Sequence, residues 1–337
     1  MKSNYDILGN HIRLIDTRNR ESITDRVLGI NIDKFFMPSV ANVIGTDLSK
    51  YKLITKGKFA CNPMHVGRDE RLPVALYDEE EPAIVSPAYF MFEVVDNSIL
   101  NEDYLMMWFR RPEFDRICWL HTDGSVRGGI TWDDICRLEL PIPPIENQLE
   151  IVNSYKAITE RIALKQKIND NLDDTAQTLY QKYFESNSDK SSWKQGTVGD
   201  VLQLQRGHDL PRTEMTGGKY PVAGSTGTIG YHDEFTAEAP VIVMGRSGNI
   251  GNPRLYLCNC WTHNTSLYVK QIYEAEPLWV FYLLKNLNYD GFVGGSAVPT
   301  LNRNDVHAYG IAIPPLELQK SFSQKVMSLI YCKEENL

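Results

Sequence analysis

Ile142-Pro143-Pro144-Ile145-Glu146-Asn147-Gln148-Leu149 opens the longest uninterrupted helical pattern in the chain, and its reading decides the fold. A proline pair ends a strand and seats the first turn of a helix, where a missing N–H costs nothing. From about Glu146 to Phe184 no Gly or Pro follows. Tyr155, Ile158, Ile162, Lys165, Asn169, Leu172, Ala176, Leu179 and Tyr183 recur in alternating steps of three and four, the pattern of a heptad seam. About forty residues at ~1.5 Å each make a rod of roughly 60 Å, which needs a partner to cover its seam. Lys165 and Asn169 are polar at seam positions and favour register over stability.

The chain offers its own candidate partner. Ile313-Pro314-Pro315-Leu316-Glu317 repeats the motif, followed by Gln319, Phe322, Val326 and Leu329. A shift of 171 positions places Ile142 on Ile313, Glu146 on Glu317, Gln148 on Gln319, Asp134 on Asp305 and Gly124-Ser125 on Gly295-Ser296. A shift of 190 places Leu8-Gly9-Asn10 on Val198-Gly199-Asp200. The repeat unit is therefore a globular domain followed by a helix, and the second copy is about twenty residues shorter.

This divides the 337 residues into a first domain (1–141), a long spacer helix (142–185), a polar connector (186–192), a second domain (193–312) and a shorter second helix (313–337). A hydrophobic fraction of 42% with 23% charged residues suits a globular chain. No apolar run reaches the roughly twenty residues of a membrane span, and the start has no signal-peptide core. We therefore expect a cytoplasmic protein. The six cysteines form no CxxC pair, so neither a disulfide framework nor a metal site is expected, Cys258-Asn259-Cys260 included. A net charge of −8 argues against broad nucleic-acid binding, so any DNA contact must come from a local cluster.

Within the first domain, Leu53-Ile54, Val74–Leu76 and Tyr89–Val95 read as strands, and Asn101–Trp119 as helix divided at Pro112, with Trp108 and Phe109 in the core. In the second, Pro240–Met244 and Ser266–Val269 read as strands and Leu278–Leu287 as a short helix. The fold class expected is α+β: two domains of mixed sheet and short helices, separated by long antiparallel coiled-coil helices.

No catalytic motif survives inspection. Gly245-Arg246-Ser247-Gly248-Asn249-Ile250-Gly251 has the wrong glycine spacing for a phosphate loop, and Pro253 blocks a following helix. Asn62-Pro63-Met64 lacks the second proline and aromatic of an amino-methyltransferase motif. What remains is a set of turns carrying hydrogen-bonding side chains on a sheet scaffold, suited to base edges and phosphates. In the first domain these are Asn62, His65, Arg68, Arg71, Ser86, Tyr89, Ser125 and Arg127. In the second they are Ser225, Thr226, His232, Arg246, Ser247, Asn249, His263, Asn264, Thr265 and Ser296. Each alone is an ordinary turn residue. Their duplication in two halves weakens that reading.

In this order, ahead of two Pro-Pro helices, several stretches resemble the specificity subunit of type I restriction–modification systems. They are Leu8–Ile12, Gly57–Asn62, Ile84–Tyr89, Gly124–Arg127 and Leu140–Pro144, then Tyr220–Gly230, Gly245–Gly248, Trp261–Ser266 and Gly295–Leu301. The resemblance covers nearly the whole sequence. It implies a non-catalytic reader of double-stranded DNA, each domain binding one half of a bipartite site. It further implies helices that dock adenine-N6 methyltransferase subunits, with a restriction (motor) subunit joining for cleavage. S-adenosylmethionine, ATP and Mg would then belong to those partners, and no cofactor to this chain.

One departure stands out. The family's second helix is about as long as its first, whereas this one stops some twenty-two residues after Pro315, roughly 33 Å against 60 Å. It would cover about Ile162–Phe184, leaving Glu146–Thr159 to a methyltransferase helix or to self-association with another copy, unless the chain is a shortened product. Two other classes fit the same residues: a stand-alone DNA-modifying enzyme, and a spacer module that binds only protein.

Overall fold

A computed structural model describes residues 4–41, 43–64, 66–122, 128–289, 293–294 and 300–336. The chain falls into two compact units, Met1–Arg161 and Ile162–Leu337. It is a mixed fold of helix and sheet.

The first unit contains β1 (Tyr5–Ile7), β2 (Ile12–Ile15), β3 (Val27–Ile30), β4 (Phe36–Pro38), β5 (Lys52–Ile54) and β6 (Lys58–Cys61). After α1 (Val66–Asp69) come β7 (Val74–Tyr77), β8 (Ala83–Val85) and β9 (Phe90–Val94). Next are α2 (Glu102–Phe109), α3 (Pro112–Leu120), α4 (Trp132–Cys136), β10 (Glu139–Pro141) and the long α5 (Ile145–Tyr180), whose residues from Ile162 on belong to the second unit. Pro112 sits in the first turn of α3 and divides it from α2, as proline should.

The second unit follows with β11 (Lys194–Thr197), β12 (Leu202–Arg206), β13 (Tyr220–Gly224), β14 (Gly227–His232), β15 (Val241–Gly245) and β16 (Gly251–Tyr256). Then come β17 (Trp261–Thr262), β18 (Ser266–Ile272), α6 (Pro277–Asn286), β19 (Val293–Gly294) and β20 (Thr300–Leu301). The chain closes with α7 (Arg303–His307), β21 (Gly310–Ile313) and α8 (Leu316–Glu335).

The sequence repeat is a repeat of topology. One sheet runs β2-β9-β6-β7 and its counterpart β12-β18-β15-β16, every neighbouring pair antiparallel. A second sheet of each unit holds a parallel pair, β3 with β8 and β13 with β17. In both, the opening strand pairs antiparallel with the strand before the prolines: β1 with β10, β11 with β21. Leu8 and Val198, both fully buried, donate their N–H groups to Leu138 and Tyr309 just ahead of those strands. The cores are separate. Phe59, Phe92, Phe109 and Phe114 cluster in the first unit, and Trp279, Tyr282, Phe184 and Phe322 in the second.

The repeated Pro-Pro motif has a common anchor. Gln148 is fully buried, donates to the carbonyls of Pro143 (2.7 Å) and Ile99 (2.8 Å), and accepts the Asn101 N–H at the start of α2 (2.9 Å). Gln319, 1% exposed, donates to Pro314 (2.9 Å) and accepts the Glu276 N–H at the start of α6 (2.9 Å). Each glutamine ties a strand exit to the first turn of a short helix.

Within the second unit α5 and α8 run antiparallel. Asn169 accepts from the Asn336 amide, Lys165 donates to the Asn336 carbonyl (2.9 Å), Lys333 pairs with Asp173, and Lys325 with the Tyr183 hydroxyl. Burial along α5 does not follow a strict heptad. Ala176, Tyr180 and Phe184 are buried, Leu172, Leu179 and Tyr183 half-buried, and Tyr155, Ile158 and Ile162 are 39%, 61% and 51% exposed. A 3.6-residue helix drifts about 20° per heptad, so the inward stripe moves one position on, from Leu179 and Tyr183 to Tyr180 and Phe184. The π turn at Gln181–Glu185 adds to that shift.

Replacing Gln148 or Gln319 by Leu leaves buried backbone groups unpaired, at about 1–3 kcal/mol each. We expect either change to lower the unfolding free energy by about 3 kcal/mol, read by urea denaturation. A loss under about 1 kcal/mol would mean that water takes over the glutamine's bonds.

Candidate nucleic-acid interface

Three arginines of the second unit line one concavity of about 460 Å³: Arg206 at the end of β12, Arg246 just after β15, and Arg303 at the start of α7. Leu267, Thr300, Leu301 and Asn302 complete the lining. No carboxylate is among these residues. Arg206 reaches Asp209 only at 3.6 Å on the exposed surface, and among the described residues neither Arg246 nor Arg303 has an ion-pair partner. Guanidinium groups remain charged at any physiological pH, and their planar fork matches phosphate oxygens or the O6/N7 edge of guanine.

The backbone places them. Arg246 donates its N–H to Thr265 (3.0 Å) and accepts at its carbonyl from Leu301 (2.8 Å), so both flanking segments hold it. The turn behind it closes only around Gly245: a Cβ there would lie 1.5 Å from the Asn249 carbonyl oxygen. Asn302 caps α7, its side chain accepting the Asn304 N–H (3.0 Å), which sets Arg303 in the first turn. Arg206 lies opposite Leu267 in the β12–β18 ladder.

The residues singled out from sequence in this unit divide into two groups. His263, Thr265, Ser225 and Asn249 form one internal network. His263 Nε2 donates to the Leu210 carbonyl (3.3 Å), and its Nδ1 lies 2.9 Å from Thr265 Oγ1, which accepts the Ser225 N–H (3.3 Å). Asn249 donates to the Ser225 carbonyl (3.1 Å). Both ring nitrogens of His263 are thus engaged within the fold, and the network supports the Arg246 turn. Ser247 bridges Thr300, Asn264 pairs with Asp209, and the His232 ring lies edge-on to Trp261 at 5.1 Å. Thr226 is exposed at the tip of the β13–β14 hairpin. Burial pushes the Cys260 thiol up to about 12, away from the thiolate a metal would need.

In the first unit the candidates Asn62, Arg71, Ser86 and Tyr89 are not joined into one group by hydrogen bonds or ion pairs among the described residues. Asn62 closes its own turn onto the Met64 N–H (3.2 Å), and Ser86 and Tyr89 are two ends of one turn, with the Tyr89 ring packed on the core. Arg71 pairs with Asp33 at 2.9 Å. Other cations there also have carboxylate partners: Arg13 with Glu93, Arg18 with Asp16, Arg26 with Glu79, and the buried Lys34 with Asp115. His65, Ser125, Arg127 and Ser296, and the side chain of Arg68, lie outside the described residues.

Sequence reasoning missed Arg206 and Arg303. The internal repeat carried the signal: the 171-residue shift puts Arg303 where the first unit has Trp132, a residue packed on Phe90 and Phe92. A half-buried tryptophan in one copy thus corresponds to an exposed arginine in the other.

This concavity belongs to a stretch with known counterparts. Residues 190–334 match the type I restriction modification DNA specificity domain. In part, the chain is also similar to individual type I specificity subunits. It is 24% identical over 191 residues to the specificity subunit of the HindI type I restriction enzyme from Haemophilus influenzae, covering 56% of this chain and 40% of that one. It is 22% identical over 137 residues to the EcoprrI specificity subunit of Escherichia coli, covering 39% and 34%. The chain therefore aligns with less than half the length of either relative. The crystal structure of a type I restriction-modification S subunit from M. genitalium shares the fold, with a TM-score of 0.66 at 17% identity over 98% of this chain and 90% of that one.

His307, on α7 beside Arg303, accepts the Leu204 N–H at Nε2 (2.9 Å), which requires a neutral ring. Burial first, then the Arg303 charge, lowers its pKa from the ordinary 6.5. The unfolded chain therefore takes up the proton first. This group's contribution to stability is complete above about pH 6.5 and is lost as pH falls through the folded value. Thermal melting between pH 8 and 5 should show an acid-side decline that is shallower in His307→Gln.

Proposed function

We propose that this chain is the DNA-recognition subunit of a type I restriction–modification complex. The observation that carries the reading is the concavity of Arg206, Arg246 and Arg303, with no carboxylate among its described lining residues, within the stretch that matches the DNA specificity domain. In a chain of net charge −8, a local group of guanidiniums, two of them without an ion-pair partner among the described residues, is where polyanion binding concentrates. The duplicated domain supports a bipartite target, one unit per half-site. The helices after each Pro-Pro pair serve as docking elements for DNA adenine methyltransferase subunits, to which a restriction subunit is added for cleavage.

The chain itself is non-catalytic in this reading, and S-adenosylmethionine, ATP and Mg act in the partner subunits. Among the described residues no helix is long and apolar enough to cross a membrane, which accords with a cytoplasmic complex.

Fluorescence anisotropy with duplex DNA carrying the target, identified by sequencing the methylated sites of a host that expresses this chain with its methyltransferase, tests the assignment. Arg246→Ala and Arg303→Ala should each weaken binding by roughly tenfold or more, about 1–3 kcal/mol, with lost discrimination where the arginine reads guanine. Where it contacts phosphate, the log–log salt slope should fall by about 1 instead. Unchanged affinity and slope in the double variant would remove this concavity from the interface. Methylation or cleavage by the purified chain alone would favour an enzyme over a reader.

A further inference from the structure

One carboxylate stands beside the arginine concavity, and the fold fixes it there. Asp209 follows Arg206 by three residues, its side chain 74% exposed and its Oδ1 3.6 Å from Arg206 Nη2. The backbone is clamped on both sides of it. Gly207 lies so close to the neighbouring segment that a Cβ would come within 2.2 Å of the His263 carbonyl oxygen, and His208 donates its N–H to Thr262 (2.7 Å). Beyond Asp209, the buried Leu210 accepts at its carbonyl from His263 (3.3 Å).

Asn264 then sets both side chains. Its carbonyl accepts from Arg206 Nε (3.5 Å), and its side-chain amide donates to Asp209 Oδ1. Among the described residues, neither the outer nitrogens of Arg206 nor Asp209 Oδ2 makes a hydrogen bond. An exposed aspartate is ordinarily solvated and free to turn, whereas this one is held by an amide with its open oxygen beside a guanidinium. For phosphate binding it is a liability, because it repels the polyanion and screens the arginine next to it. A group that donates to Oδ2 would offset that repulsion.

Base edges contain such a donor. In the major groove a G·C pair presents two acceptors, guanine N7 and O6, followed by one donor, the cytosine N4 amino group. An arginine fork with a carboxylate at its side offers two donors followed by one acceptor. We infer that Arg206 and Asp209 together read one G·C base pair of the second unit's half-site through its major-groove edge. Arg206 takes guanine, Asp209 takes cytosine N4, and Asn264 is the positioning residue for both. The carboxylate also fixes orientation, since a reversed pair would set O6 against Asp209 and the amino group against Arg206. The inference rests on the reading of the concavity as a DNA interface and adds the base pair selected there.

Duplexes bound by the full chain, selected from a pool randomised across the half-site and then sequenced, test it. The natural chain should enrich G·C at one position roughly tenfold or more over the other pairs. Asp209→Ala should lose that preference at that position alone, and its affinity for unselected duplex should rise because a repelling charge has gone. Asn264→Ala should blunt the same preference and leave the rest of the selected sequence as it was. N4-methylcytosine at that position, whose methyl group replaces the donated hydrogen, should weaken binding by the natural chain roughly tenfold and leave Asp209→Ala unaffected. Three results would overturn the inference: the same selected sequences with and without Asp209, equal weakening of both proteins by N4-methylcytosine, or an Asp209-dependent position that selects another pair. In each of these cases continued dependence on Arg246 and Arg303 would retain the concavity as the interface. Binding indifferent to all three arginines would overturn both readings.

Discussion

A glutamine side chain with every one of its bonds made to backbone holds each half of this protein in shape. Gln148 and Gln319 join the carbonyl of a proline at a strand exit to the first N–H of a short helix. In an interior that excludes water those partners have no substitute, so the angle between the arriving strand, the short helix and the long helix is fixed at one point. The ladder of opening and closing strands, the course of α5 and α8, and the cover over each core all begin there. Proline supplies the other half of the constraint, because its ring ends the strand and its missing N–H needs no acceptor.

On this common frame the two units carry different surfaces. Many described cations of the first have carboxylate partners, and even the buried Lys34 sits between Asp115 and the face of Phe114. The second leaves Arg246 and Arg303 without an ion-pair partner among the described residues around one concavity. Overall charge conceals this difference, since a chain of −8 can still hold a strongly cationic site wherever carboxylates are kept away. Several of the turn residues singled out from sequence are engaged within the fold. His263 and Thr265 hold the backbone that aims Arg246, and a histidine with both nitrogens engaged leaves no free hydrogen-bonding group for a base.

Much of the architecture was legible because it rests on local rules. Pro-Pro followed by an unbroken apolar period predicts a long helix, Pro112 predicts the break between α2 and α3, and the shift that aligns Gln148 with Gln319 predicts two like domains. The site was legible only in part. Arg246 lies in a glycine turn and invites attention, whereas Arg206 and Arg303 are distant in sequence and meet only through the β12–β18 ladder and the cap on α7. The seam of α5 was displaced for a related reason. Sequence spacing gives a period, but which side faces inward is decided by aromatic partners on α6 and α8, chiefly Tyr282 and Phe322.

The twin anchors bear on how such a chain can change over time. Each glutamine bonds to main-chain atoms, and the main chain is the same whatever side chains the sheets and loops carry. A segment that begins and ends at equivalent strand–helix junctions brings its own opening strand, its own closing strand and its own corner. Side chains in the sheets and loops can then differ between the two halves while the joint stays the same.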